Sequence, residues 1–206
     1  EKEDLEIIMD GDHVRQALVN TPGEGFVFGL FADADMHVGE VTLLADTLVA
    51  TGATDAEGKL AFVGNFPHGA YYVKELSAPD GWKLNPAKFA VTLEPKAQSG
   101  GVIRVSLPEI VHDELIYTRV TLTKTDITGQ KTLSGATIEV KDEQGNVMYR
   151  ETTDANGQIP QIPVAPGTYT FKEVYAPDGY ALNEAEMRFT VDADGNVTGD
   201  TTIRDD

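Results

Sequence analysis

Cysteine is absent from the 206-residue sequence. Neither disulfides nor thiolate metal sites are therefore available. Basic residues are scarce, with 16 Lys and Arg against 34 Asp and Glu and a net charge of −18. That balance repels phosphate backbones and anionic lipid, so neither nucleic acid nor direct membrane binding is expected. No run of about 18 apolar residues occurs, so nothing here is expected to span a bilayer as a helix. The opening EKEDLEII lacks the charged-then-apolar pattern of a leader, and any leader or anchor is expected to lie outside this stretch.

Catalytic signatures are missing too. The four histidines, His13, His37, His68 and His112, form neither HExxH nor a close pair. His68 falls in a turn, and His112 is expected to face solvent beside Asp113. No GxSxG, P-loop or strand-linked GxGxxG is present, so an enzyme acting on an external substrate is not expected, and no cofactor is implied. The DADGN loop (192–196) resembles an oxygen-ligand calcium loop. Its glycine is fourth rather than sixth, however, and no glutamate follows at the twelfth position. It reads as a hairpin turn, and no metal site is expected.

What is present is repetition. YYVKELSAPDGW (71–82) returns as YTFKEVYAPDGY (169–180), TDAEG (54–58) as TDANG (153–157), and PHGAYY (67–72) as PGTYT (166–170). GFVFGL (25–30) is a looser counterpart of GATIEV (135–140). A period this long indicates two tandem domains, over 1–117 and 118–206, rather than a solenoid of short repeats. Hydrophobic residues make up 41% of the chain, which suits packed cores. Short runs rich in Val, Ile, Thr, Tyr and Phe alternate with polar residues, among them RVTLTK (119–124), ATIEVKD (136–142) and MRFTVDA (187–193). Turns such as DEQGN and DANGQ separate them. The fold class is all-β, two small antiparallel sandwiches. A long helical pattern is missing, and only 33–50 leaves room for a short helix or an irregular excursion.

Side chains of a strand alternate between faces. In TYTFKE, Tyr169, Phe171 and Glu173 share the apolar face. Val120, Leu122 and Lys124 share one in VTLTK, and Thr201, Ile203 and Asp205 share one in TTIRD. A lysine, a glutamate and an aspartate therefore point inward from the first, a middle and the last strand. One reading is a buried ion triad, or strand ends where parity fails and the groups reach water. The other is chemical. A desolvated lysine is a nucleophile, and a desolvated glutamic acid keeps a proton to move. An amide between the amine and the aspartic carboxyl, with loss of water, removes both buried charges.

KTD (124–126), LSGAT (133–137), TDANG, PGTY (166–169) and KEVYAPDGY (172–180) together resemble the Cna protein B-type, or SpaA-type pilin, domains of Gram-positive surface proteins. The resemblance implies an immunoglobulin-like, prealbumin-like sandwich in each of the two tandem copies. It also implies a spontaneous isopeptide bond from Lys124, the nucleophile, to Asp205, the acceptor, with Glu173 as the proton shuttle. GFVFGLFADAD (25–35), TDAEGK (54–59), PHGAYYVKELSAPDGW (67–82) and HDEL (112–115) resemble the longer variety of the same domain. There Glu75 takes the glutamate position and Asp113 the acceptor position. Aligning LEIIM (5–9) on VTLTK puts Met9 where Lys124 lies, so the first domain's site reads as degenerate and uncross-linked, with Glu75 and Asp113 a carboxyl pair.

By this resemblance the chain is a structural stalk or pilin-like module of an extracellular, cell-wall-anchored protein. Its partners would be neighbouring domains of the same surface protein or pilus. The alternative is an adhesin domain that binds host glycan or matrix protein, with Trp82, Tyr175 and Tyr180 as stacking surfaces. Neither an LPxTG-like sorting signal nor a pilin-type lysine motif is identified, and SLPEI (106–110) is not one.

Overall fold

The computed structural model describes residues 1–95, 106–107 and 109–205, so SLPEI lies within it except for Pro108. Two compact units emerge. One comprises Glu1–Glu3 with Asn20–Glu114, the other Asp4–Val19 with Leu115–Asp206. Among the described residues, sixteen strands run in chain order as β1 (Lys2–Asp10), β2 (His13–Thr21), β3 (Val27–Ala32), β4 (Met36–Val38), β5 (Val41–Leu43), β6 (Leu48–Ala53), β7 (Gly69–Ser77), β8 (Lys88–Leu93), β9 (Thr118–Thr125), β10 (Thr137–Lys141), β11 (Val147–Thr152), β12 (Gln158–Val164), β13 (Gly167–Tyr175), β14 (Met187–Val191), β15 (Val197–Gly199) and β16 (Thr202–Arg204). Helices are absent among the described residues.

In the second unit, a sheet ordered β1-β2-β11-β10-β13-β14-β15 faces a three-stranded sheet ordered β12-β9-β16. The core between them holds Val120 and Leu122 of β9, Ile138 and Val140 of β10, Tyr169 and Phe171 of β13, Phe189 and Val191 of β14, and Ile203 of β16. These are the alternate residues that period two turns inward. β12 breaks the period, because Ile159 and Ile162 are both buried although three positions apart. The register shift between them, with Gln161 at φ 54°, is a bulge that restores the inward face. β16 runs parallel to β9 and lies directly beside it.

The first unit carries an antiparallel sheet ordered β6-β3-β7-β8 over a core of Phe26, Phe28, Leu30, Ala32, Met36, Tyr71 and Val73. The stretch 33–50 contains no helix. Instead β4 and β5 form a hairpin, closed through Gly39 at φ 62°.

The assignment of 1–117 to the first domain needs correction at its start. LEIIM lies in β1, and β1 and β2 form a hairpin through Gly11, whose φ of 59° suits glycine. β2 then pairs with β11 at Val14↔Arg150, burying Val14 and Gln16 on the second unit. The strand taken for the first domain's opening strand is an edge addition to the second unit's sheet.

The repeated phrases do the same work in both units. Thr54 Oγ1 accepts the Phe26 N–H at 3.0 Å, and Thr153 Oγ1 accepts the Ala136 N–H at 3.0 Å. Asp55 Oδ1 takes the N–H groups of Glu57 and Lys59, while Asp154 Oδ1 takes those of Asn156 and Gln158. Gly58 and Gly157 close these loops at φ 70° and 69°. A Cβ on Gly157 would stand 2.6 Å from the Leu133 nitrogen, which only glycine avoids. Tyr71 and Tyr169 each donate back to the carbonyl four residues earlier, Pro67 at 2.6 Å and Ala165 at 2.8 Å. Thr153→Val should leave the Ala136 N–H buried and unpaired. The expected loss is about 1–3 kcal/mol, read as a lower denaturant midpoint with an unchanged m-value.

Candidate functional site

In the second unit, β9 brings Lys124, β13 brings Glu173, and the residue after β16 is Asp205. Lys124 is fully buried and Glu173 is 1% exposed. The Asp205 side chain is 10% exposed. Lys124 and Glu173 lie on opposite sheets, so the site spans the core rather than one face of a sheet. Parallel pairing sets Ile203 opposite Lys124, and Asp205 N–H donates to Thr125 O at 3.0 Å. Lys124 Nζ then makes a direct contact with Asp205 Oδ1 and stands 3.7 Å from Glu173 Oε1. The three residues that strand parity turned inward are therefore together.

Burial pushes the Glu173 carboxyl towards its protonated form, opposed by the Asn183 N–H and by the Lys124 charge. Glu173 Oε1 and Asp205 Oδ2 are buried without a hydrogen-bond partner. The arrangement sets a nucleophile against a carboxyl carbon, with a second acid within reach of both. It can form an amide and expel water.

The first unit repeats the glutamate and the aspartate. Glu75 is 1% exposed and Asp113 is 5% exposed. Burial raises both carboxyls. The Asn85 N–H opposes this at Glu75 and the Asp113 charge adds to it, while the amino-terminal and His112 charges oppose it at Asp113. Met9 is not at this site. It is 74% exposed on β1, in the hairpin that joins the second unit. The strand beside Asp113 is instead the very start of the chain, where Lys2 bridges Asp113 in parallel. Asp113 N–H donates to Glu1 O at 3.0 Å, matching the Asp205 bond to Thr125 O. Glu1 is thus the counterpart of Thr125, and Lys2 that of Asp126. Lys2 Nζ lies 4.0 Å from the Trp82 ring centre.

These carboxyls bind protons more tightly in the folded unit than in the unfolded chain. Their contribution to stability is therefore full below about pH 4 and is lost as pH rises through the raised folded values. The first unit should melt lower as pH climbs from 4 towards neutrality, and Glu75→Gln should flatten that slope in pH-resolved thermal scans.

Two residues that the repeated phrase did not flag complete the sites. Asn183 N–H donates to Glu173 Oε2 at 2.8 Å, and Asn85 N–H donates to Glu75 Oε2 at 2.6 Å. The signal was available, because the repeat runs on past the aromatic as KLNPA (83–87) and ALNEA (181–185).

Trp82 packs edge-on against Phe26 at 6.1 Å and donates its indole N–H to Glu3 O at 2.7 Å. Tyr175 and Tyr180 are 64% and 36% exposed. In DADGN, Asp192 accepts the N–H groups of Asp194 and Asn196 on Oδ1 and the Asn196 amide on Oδ2, which fastens the turn between β14 and β15. Among the described residues no group of three His, Asp or Glu side chains is placed to hold a metal ion. His13 pairs with Glu151 at 3.3 Å, His37 with Thr42 at 3.0 Å, and the exposed His112 with Glu1 at 3.6 Å.

A family model described as SpaA, a prealbumin-like fold domain, matches residues 19–106 and 118–206. Serine-aspartate repeat-containing protein D of Staphylococcus aureus (strain Newman) is 24% identical over 177 residues, covering 77% of this chain and 13% of that protein. The chain thus spans a small part of that relative's length. Among solved structures, the Bacillus anthracis TIE protein covers 98% of the chain and 40% of its own, with a TM-score of 0.54 and 20% identity. A C-terminal fragment of the pilus adhesin SpaC from Lactobacillus rhamnosus GG covers 87% of each chain, with a TM-score of 0.52 and 20% identity. At these identities the two structures establish the fold alone.

Proposed function

This chain belongs to the SpaA prealbumin-like fold domain family, and from that premise we propose that it is a load-bearing stalk segment of a Gram-positive surface protein or pilus, locked in its second unit by an amide between Lys124 and Asp205. The observation that carries this reading is the buried contact of Lys124 Nζ with Asp205 Oδ1 and its 3.7 Å approach to Glu173. Localisation outside the cell follows from the company of staphylococcal surface-protein and pilus relatives, with the anchor supplied by chain beyond this segment.

The chemistry is a single self-directed turnover without an external substrate. One proton first passes from the Lys124 ammonium to the Asp205 carboxylate, so amine and acid meet neutral. The Nζ lone pair then forms a bond to Asp205 Cγ. Glu173 takes a proton from Nζ and gives its own to the departing hydroxyl, so water leaves and Glu173 ends as the acid it began. The apolar surroundings favour this outcome, since two buried charges are exchanged for one neutral amide.

Mechanical function follows from β9 and β16 being parallel neighbours. Tension applied at the two ends of the unit shears these strands against each other. With the amide made, force entering along β9 crosses at Lys124 to Asp205, and the sandwich is bypassed. Since a cysteine-free chain has no disulfide to do this, the amide takes that role.

Intact mass of the folded 206-residue chain tests the reading. One water below the sequence mass, with a branched peptide joining Lys124 to Asp205 on fragmentation, is expected. An unmodified mass would sink it.

A further inference from the structure

We propose that Asn183 is the positioning residue of this site, holding Glu173 and the last strand in the arrangement that amide formation requires. The inference rests on the amide reading above and adds a part to it. Asn183 is 7% exposed, and its backbone N–H, side-chain amide and Oδ1 are all committed. Its backbone N–H donates to Glu173 Oε2 at 2.8 Å. Its side-chain amide donates to the carbonyl of Arg204, the residue before Asp205. Its Oδ1 accepts the Ala185 N–H at 2.8 Å. One residue therefore grips both the proton carrier and the backbone that presents the electrophile.

The first bond has a consequence for the proton. Oε2 is occupied as an acceptor, so the proton of a neutral Glu173 resides on Oε1, the oxygen 3.7 Å from Lys124 Nζ. The second bond ties the end of β16 to the residue that holds Glu173, which sets Asp205 against the proton carrier. Reacting groups must meet within a few tenths of an ångström, and a displacement of about 1 Å costs on the order of 10²-fold in rate.

The first unit supplies an independent copy. Asn85 donates its N–H to Glu75 Oε2 at 2.6 Å, its side-chain amide to His112 O at 3.0 Å, and accepts Ala87 N–H at 3.0 Å. His112 precedes Asp113 as Arg204 precedes Asp205. The same clamp stands over Glu75 and Asp113, so Asn85→Ala removes it from the unit that does not hold Lys124.

The test follows water loss after synthesis. Wild type, Asn183→Ala and Asn85→Ala are made by cell-free translation, sampled over time at several pH values and weighed intact. Circular dichroism confirms folding. Asn183→Ala should close the bond about 10²-fold more slowly, with a displaced pH profile, while Asn85→Ala closes at the wild-type rate. If Asn183→Ala does not fold, Asn183→Ser, whose hydroxyl can still accept the Ala185 N–H, is judged by the same criteria. Closure at the wild-type rate, or slowing that only mirrors the unfolded fraction with an unmoved pH profile, overturns the positioning role and leaves the amide reading intact. Failure of both variants to fold assigns Asn183 to folding and also overturns it. If wild type itself never loses water, the amide reading falls first.

Discussion

Lys124→Ala should give a folded chain whose mass equals its own sequence, where the wild type should be one water light. It should also strip the second unit of much of its stability. By analogy with a disulfide closing a comparable span, the cross-link between positions 81 apart contributes about 4–5 kcal/mol. For a unit of this size that corresponds to a fall in Tm of roughly 20–40 °C. Alanine also empties a fully buried lysine site, adding a cavity cost to the loss of the bond. Lys124→Met separates the two contributions, since it refills the space with an unbranched apolar chain and cannot form an amide. Its melting point should lie above that of the alanine variant and still far below the wild type. Equal melting points for Lys124→Met and wild type would mean that the contact is an ion pair and nothing more.

Glu173→Gln is the second large effect. The glutamine oxygen can keep the Asn183 N–H bond, so the fold should stand, but the group no longer moves a proton. Removing a general acid–base group of this kind slows a reaction by about 10²–10⁴-fold. The freshly folded variant should therefore carry the full sequence mass and gain the cross-link slowly or not at all. Glu75→Gln, its counterpart in the first unit, should leave the one-water deficit unchanged. A Glu173→Gln chain that is already one water light when first weighed would remove Glu173 from the chemistry.

How much of this was legible in the sequence depends on how local each signal is. The inward placing of Lys124 and Glu173 is a two-residue periodicity within one strand, and burial of the Tyr169, Phe171, Glu173 face enforces it. The TDxxG, tyrosine and APDG phrases are likewise local, because each closes its own hydrogen bonds within a few residues. Pairing between distant strands is not local. LEIIM alternates well enough to be any half-buried strand, and only the tight turn at Gly11 and the Val14↔Arg150 pairing reveal it as an edge addition. Alignment of LEIIM on VTLTK therefore points to Met9, whereas the residue that bridges Asp113 is Lys2. The hairpin of β4 and β5 escaped notice because three-residue strands are too short to show a period. Asn85 and Asn183 act across loops, ten residues from the glutamates they hold, and strand parity has nothing to say about such residues.

The meeting of Lys124 and Asp205 also changes the connectivity of the molecule. With the amide made, residues 124–205 form a covalent macrocycle within the polypeptide. A protease that cuts one exposed turn within the macrocycle, such as that at Gln144 or Asp194, opens it but releases no fragment. The nicked chain remains one covalent piece even when fully denatured. Damage that would sever a linear segment at the cell surface is thereby confined to a broken circle, and the two ends of the unit stay joined.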